Sequence, residues 1–234
     1  MSSHDNIIHH TTFDASMVNF TDLRKNKMGG KVVYLTDATR NKLQIQLPKM
    51  RAPFGISEFT DSSSGRSSYS LDMSLENNDG LMTTLRALDD AIVGVIAKNS
   101  SAWLGKKHSA SVIRDALYKP IVKDPSDPKY SPTIKLKVFK NRDDGFSAET
   151  YTPKGQKIAL SDLEKGQMVA TIIELNQVWI IDNKCGVSIR LEQALVYPTD
   201  KLTGFAFKLD DEGGSTTPQD EEEYEDEDVV EDDA

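Results

Sequence analysis

The run TIKLKVFKNR sets Lys135, Lys137 and Phe139 two residues apart, with Ile134, Leu136 and Val138 between and before them. A period of two belongs to a strand with one buried face, so the two lysines and the phenyl ring share the other face. Cations spaced in this way can follow phosphates, and an aromatic face can stack on a base. A merely solvated face would show the same lysines but has no need of a phenylalanine, so Phe139 tips the reading toward an interface. Lys129, Tyr130, Lys140 and Arg142 flank the run and extend its mixture of cations and rings. A second stretch, LPKMRAPFG, offers Lys49, Arg51 and Phe54 on a proline-stiffened loop. There, a Phe54 that plugs the core is an equally good reading. Lys106 and Lys107 form a third basic spot beside Trp103, which reads as a residue packed between helices. Lys25, Lys27 and Lys31 make a weaker cluster.

The opposite charge is gathered at the other end. From Asp210 to Ala234 there are 14 carboxylates and no cation, so residues 1–209 keep 23 acidic against 28 basic side chains. A body of formal charge +5 therefore carries a strongly acidic string, although the whole chain stands at -9. The carboxylates repel one another within a Debye length of about 10 Å at 0.1 M salt. Tyr224, Val229 and Val230 offer too little apolar surface to offset chain entropy. The segment is expected to be disordered and joined by a flexible linker, GGSTTPQ. It can simply solubilise. It can also imitate nucleic acid, because tethering holds it near the basic body at an effective concentration on the order of mM. Asp220, Glu221, Glu222, Glu223, Tyr224, Glu225, Asp226, Glu227 and Asp228 are then the residues a basic partner would meet after displacement.

Other chemistries find little support. The motifs of phosphate-cradling and dinucleotide-binding loops are absent from the sequence. His4, His9 and His10 lie in a start that reads as disordered, and His108 has no ligand set beside it, so no metal or cofactor is expected. Asp89–Asp90 reads as the exposed side of a helix and Asp143–Asp144 as a turn. No enzyme activity is expected. There is one cysteine, Cys185, no apolar run of about 18 residues, and no secretory pattern in MSSHDNIIHH. A reducing intracellular compartment and no membrane span are the expectation.

The elements that must position these residues read as mainly β. KVVYLT (31–36) and KLQIQL (42–47) are strands joined by a hairpin connection, and 48–59 is an ordered loop. TDSSSGRSSYS is a flexible serine-rich loop, followed by a half-buried strand at 69–76. Leu81, Leu85, Leu88, Ile92 and Ile96 form one stripe of a helix over 80–99, with Asp79 as its cap. A shorter helix covers 109–118, and four prolines make 120–132 an extended connection. Strands at 133–139, 166–175, 177–182 and 186–197 complete a small barrel with a helical insertion over about residues 80–118.

In VWIIDNKCGVSIRLEQALVY, Trp179 precedes the turn DNK, and Gly186, Ser188, Ile189, Arg190 and Leu191 follow it. This pattern resembles the late-barrel strands of the OB-fold single-stranded DNA-binding proteins of podovirus-type phages and of large eukaryotic DNA viruses. LPKMRAPFGIS resembles a segment of the large-virus members. The family also has a helix between its third and fourth strands and an acidic tail, so the resemblance covers about 31–197 plus the tail. It departs at the last residues, VVEDDA, where the phage proteins end in an aromatic residue. Residues 1–30, polar and without a clear period, read as an N-terminal arm or edge strand and 210–234 as the acidic tail; between them the resemblance implies an OB-fold domain at 31–209. It also implies single-stranded DNA as partner with Arg190 at the interface, homodimerisation, and tail contacts with replication proteins such as polymerase and helicase. An intracellular replication compartment of an infected cell follows. An acidic-tailed interaction protein or histone chaperone, and a duplex-DNA or RNA-binding transcription subunit, stay open as alternatives.

Overall fold

The computed structural model describes residues 6–25, 30–199 and 206–207. The chain divides into two units, Met1–Thr199 and Asp200–Ala234. The linker and the acidic residues, Asp220 to Asp228 among them, lie outside the described residues, as do Lys27 and His4.

The first unit is mainly β. Its principal strands are β1 Lys31–Thr36, β2 Gln44–Gln46, β3 Met50–Arg51, β4 Ile56–Thr60, β5 Ser67–Ser74, β6 Thr133–Val138, β7 Glu149–Tyr151, β8 Met168–Ile181 and β9 Lys184–Val196. The main path runs β2–β8–β9–β6–β5–β4, with β6 and β9 parallel and β8 and β9 antiparallel. The path has two ends and the sheet is not closed. One stretch of chain nevertheless serves both ends. Met50 and Arg51 pair with Val169 and Met168 of β8, and Ile56–Thr60 pairs with Leu71–Ser67 of β5. The handover falls at 52–55, where Gly55 adopts a φ of 64°, open to glycine at little cost.

Several elements differ from their sequence reading for local reasons. The two strands expected at 166–175 and 177–182 are one long strand, Met168–Ile181, because Asn176 is absorbed as an irregularity between Leu175 and Gln177. A second irregularity between Ile172 and Ile173 leaves Glu192 as the extra residue on β9. β1 and β2 are not a paired hairpin. They touch through one bridge, Thr36–Lys42, and each pairs with β8 instead. Ile7–His9 runs parallel to β2, so His9 belongs to a sheet edge and not to a disordered start.

The helix α1, Asp79–Trp103, lies between β5 and β6 in the chain. Leu81, Leu85, Leu88, Ile92 and Ile96 are all buried on it, as their spacing requires. Each contributes about 1.5–3 kcal/mol of apolar burial. Asp79 sits in the first turn, and Asn78 occupies the cap position without a side-chain bond. Asp89 corrects the expectation of an exposed carboxylate: it is 4% exposed. The Tyr118 hydroxyl donates to it at 2.5 Å and the Ile121 amide at 3.0 Å. Burial pushes its carboxyl up, against the lowering pull of those donors. It ties α1 to the proline-rich connection, a role that spacing along one helix cannot reveal. The second helix is brief, Ala110–Val112, and widens into a π turn over Ile113–Leu117 before the chain becomes extended.

Cys185 is fully buried, its thiol 3.7 Å from the Leu117 carbonyl, and burial pushes it up to about 11.

Candidate nucleic-acid interface

β4, β5 and β6 lie side by side and present one outer face. Ile134, Leu136 and Val138 are buried, which leaves Lys135, Lys137 and Phe139 on the exposed side. Lys137 stands opposite Ser70, Lys135 opposite Asp72, and Ser70 opposite Ser57. Phe59 pairs with Ser68. An open groove of about 620 Å³ runs over this face, lined by Phe59, Ser68, Tyr69, Ser70, Lys135, Lys137, Phe139 and Lys140, with Asp144 beside Lys140.

The cations are not equivalent. Lys135 reaches Asp72 at 3.6 Å and Ser70 at 3.4 Å. Lys140 binds Asp144 at 2.7 Å, which raises its pKa, and lies 4.8 Å from the centre of the Tyr69 ring. Lys137 has neither ion pair nor hydrogen bond among the described residues. Its side chain reaches solvent, yet partial burial lowers its amine from the ordinary lysine value. A cation that is partly desolvated and uncompensated costs free energy unless an anion arrives.

Arg190 does not line the groove but stands next to it on β9, in register with Lys137. Its guanidinium lies 5.1 Å from the centroid of Phe139, within cation–π range. Its Nε stands 3.0 Å from Glu192, an ion pair that is not aligned as a hydrogen bond. Glu192 in turn meets Glu174 on β8. Burial and the neighbouring Glu174 raise the Glu192 carboxyl. Burial works to raise Glu174 as well, but the Asn176 amide, Glu192 and Lys42 outweigh it and bring it down. Lys42 lies 3.2 Å from Glu174.

The other expected residues do not line this groove. Lys129 and Tyr130 pair with each other, Nζ 4.9 Å from the ring centre, on the proline-rich connection. Arg142 is exposed in the turn after β6. Lys49 lies over Tyr197 at 4.1 Å, Arg51 borders Gly166, and Phe54 is 55% exposed, so it does not plug the core. Trp103 is buried, and its carbonyl accepts from Lys31 at 2.8 Å. The sequence reading missed Phe59, at 67% exposure the barest ring in this groove. Its stretch, 48–59, reads from sequence as a loop, where alternation assigns no face. The serine-rich loop is ordered about Asp61, which accepts from the Ser63 and Ser64 amides and hydroxyls and is held at about 2 by them.

Among the described residues there is no group of three or more His, Cys, Asp or Glu placed to hold a metal, and no helix long and apolar enough to cross a membrane. What the groove offers is a flat aromatic surface, hydroxyls and uncompensated positive charge, which suits a flexible polyanion that carries planar groups.

The chain belongs to a family of unknown function, DUF5871, whose profile matches residues 61–208. No curated protein matches it. Among solved structures it is similar to the single-stranded DNA-binding protein from bacteriophage Enc34. In complex with ssDNA, that protein gives a TM-score of 0.41 at 10% identity, over 78% of this chain and 97% of that one. Without DNA the values are 0.38 and 13%, over 81% and 97%.

Proposed function

We propose that the chain binds single-stranded DNA with little sequence preference, through the groove over β4, β5 and β6. It acts as a stoichiometric coat that keeps a strand unpaired and protected in replication, recombination or repair. Lys137, partly desolvated, without an ion pair among the described residues and two residues before Phe139 on the face that also bears the exposed ring of Phe59, is the observation that carries this reading. Phosphate restores to that amine what the protein withholds, and bases meet the rings. A barrel of the OB type with a break at 52–55 accounts for the stretch that pairs with β8 and then with β5. In this reading Lys49, Arg51, Phe54, Lys129, Tyr130 and Arg142 extend the path outside the groove. The acidic residues after 209 compete for the groove and recruit replication proteins, in a virus-infected cell and as part of a homodimer.

Titration of labelled poly-dT into the full chain and into a chain shortened after residue 209, at two salt concentrations, tests this. Saturable binding is expected, with a log–log salt slope near −0.7 per phosphate contacted and a footprint of roughly 4–16 nucleotides. Removal of the acidic residues should tighten it. Unchanged or weaker affinity after truncation would remove the competition. Negligible affinity for poly-dT, with histone binding that depends on the acidic residues, would identify a chaperone. Preference for duplex DNA or RNA in competition would identify a transcription subunit.

A further inference from the structure

The spacing of the two exposed rings fixes how many bases the groove can take. Phe59 on β4 is paired with Ser68 on β5. Val138 on β6 is paired with Tyr69, which brings Phe139, one residue on, level with Ser68 from the other side. Phe59 and Phe139 thus rise from positions two strand spacings apart, roughly 10 Å. Between them stands only a serine, whose hydroxyl is turned to the Phe59 carbonyl at 3.3 Å. Phe139 is backed on its β9 side by the Arg190 guanidinium, so its open side is the one toward Phe59. Stacked planar groups lie roughly 3.4 Å apart, as the bases of a nucleic-acid strand do. Three such intervals span the gap, which gives the order ring, base, base, ring. Lys137, two residues before Phe139 on the same face, is placed to meet a phosphate of the step.

We infer that Phe59 and Phe139 form the two walls of a slot for two adjacent bases of a single strand, which remain stacked on each other over Ser68. The inference rests on the single-strand reading above. The slot is indifferent to base identity, since every base has a stacking face. Arg190 is a positioning residue for the Phe139 wall.

The test uses the full chain and an oligothymidylate with two adjacent 2-aminopurines in its centre. Near-ultraviolet circular dichroism of the pair reports base-on-base stacking, and the slot predicts that this signal persists or grows on binding. Its loss on binding would mean that each ring takes a separate base, and would overturn the slot. Phe59→Ala and Phe139→Ala should each weaken binding roughly 10-fold or more, at an unchanged salt slope. The double variant should lose less than the product of the two, because both walls hold one stack. Full multiplicativity would mean independent rings. Phe59→Leu and Phe139→Leu keep apolar bulk but remove the flat face, and should behave as the alanines do. If the unaltered chain fails to bind the oligothymidylate, the single-strand reading falls and the slot with it. If it binds and the four variants bind equally well, the slot alone falls.

Discussion

Lys137→Glu is expected to weaken oligothymidylate binding by on the order of 100-fold, more than the same change at Lys135 or Lys140. A charge-assisted contact contributes about 1.5–3 kcal/mol, and a carboxylate in its place adds like-charge repulsion. Lys135 and Lys140 already spend part of their charge on Asp72 and Asp144. Lys137 has no such partner among the described residues, so its charge is available to the ligand. The salt slope should fall by about 0.7, the share of one phosphate on a single strand. Equal effects at all three lysines would mean that the charge of the face matters and not the position of Lys137. A pH dependence follows from the same amine. Partial burial lowers its pKa, so the folded chain without ligand gains stability as pH rises through that value, because the disfavoured charged form is lost. A bound phosphate favours the charged form. Affinity should therefore decline with rising pH earlier than for an ordinary lysine contact, and binding should take up protons in that range. Lys137→Arg, which stays charged, should remove the decline.

Gly186→Val is expected to destabilise the first unit by about 3 kcal/mol or more, with Gly186→Ala in the range of about 1–3 kcal/mol. Gly186 is paired across the sheet with Trp179. A Cβ there would stand 2.8 Å from Cζ2 of the indole and 3.1 Å from the Lys119 carbonyl oxygen. The carbonyl belongs to the short strand Tyr118–Lys119, itself in register with Gly186, and cannot swing aside. The midpoint of thermal unfolding should drop by roughly 2–4 °C per kcal/mol for a chain of this size. Trp179→Phe, which withdraws the six-membered ring of the indole, should recover part of the loss in the Gly186→Ala background. A thermal midpoint unmoved by Gly186→Ala would show that the indole yields freely.

The sequence already contained the face of β6 and the stripe of α1, because a period of two and a period of 3.6 can be counted within one element. Lys135, Lys137 and Phe139 on one side, and Leu81 through Ile96 on another, are results of that kind. What could not be counted was the partner of each strand. The pairing of Ile56–Thr60 with β5 brings Phe59 into the groove, and nothing within 48–59 announces it. The same holds for Asp89: its place on a helix reads as exposed until Tyr118 and Ile121, about thirty residues on, are brought against it. Conversely, the cations of LPKMRAPFG and of Lys129–Tyr130 look equivalent to those of β6 in composition, and only the fold separates them from the groove.

The sealed thiol of Cys185 has a practical corollary. Attack on maleimides requires the thiolate, which a group pushed up to about 11 and shut from solvent scarcely forms near neutral pH. The native chain should resist such dyes, and Ser62→Cys on the exposed turn beside the groove should accept one dye per molecule, with no need to remove the native cysteine. Labelling of the native protein at a comparable rate would show that the sheet opens around β9 far more often than its packing suggests.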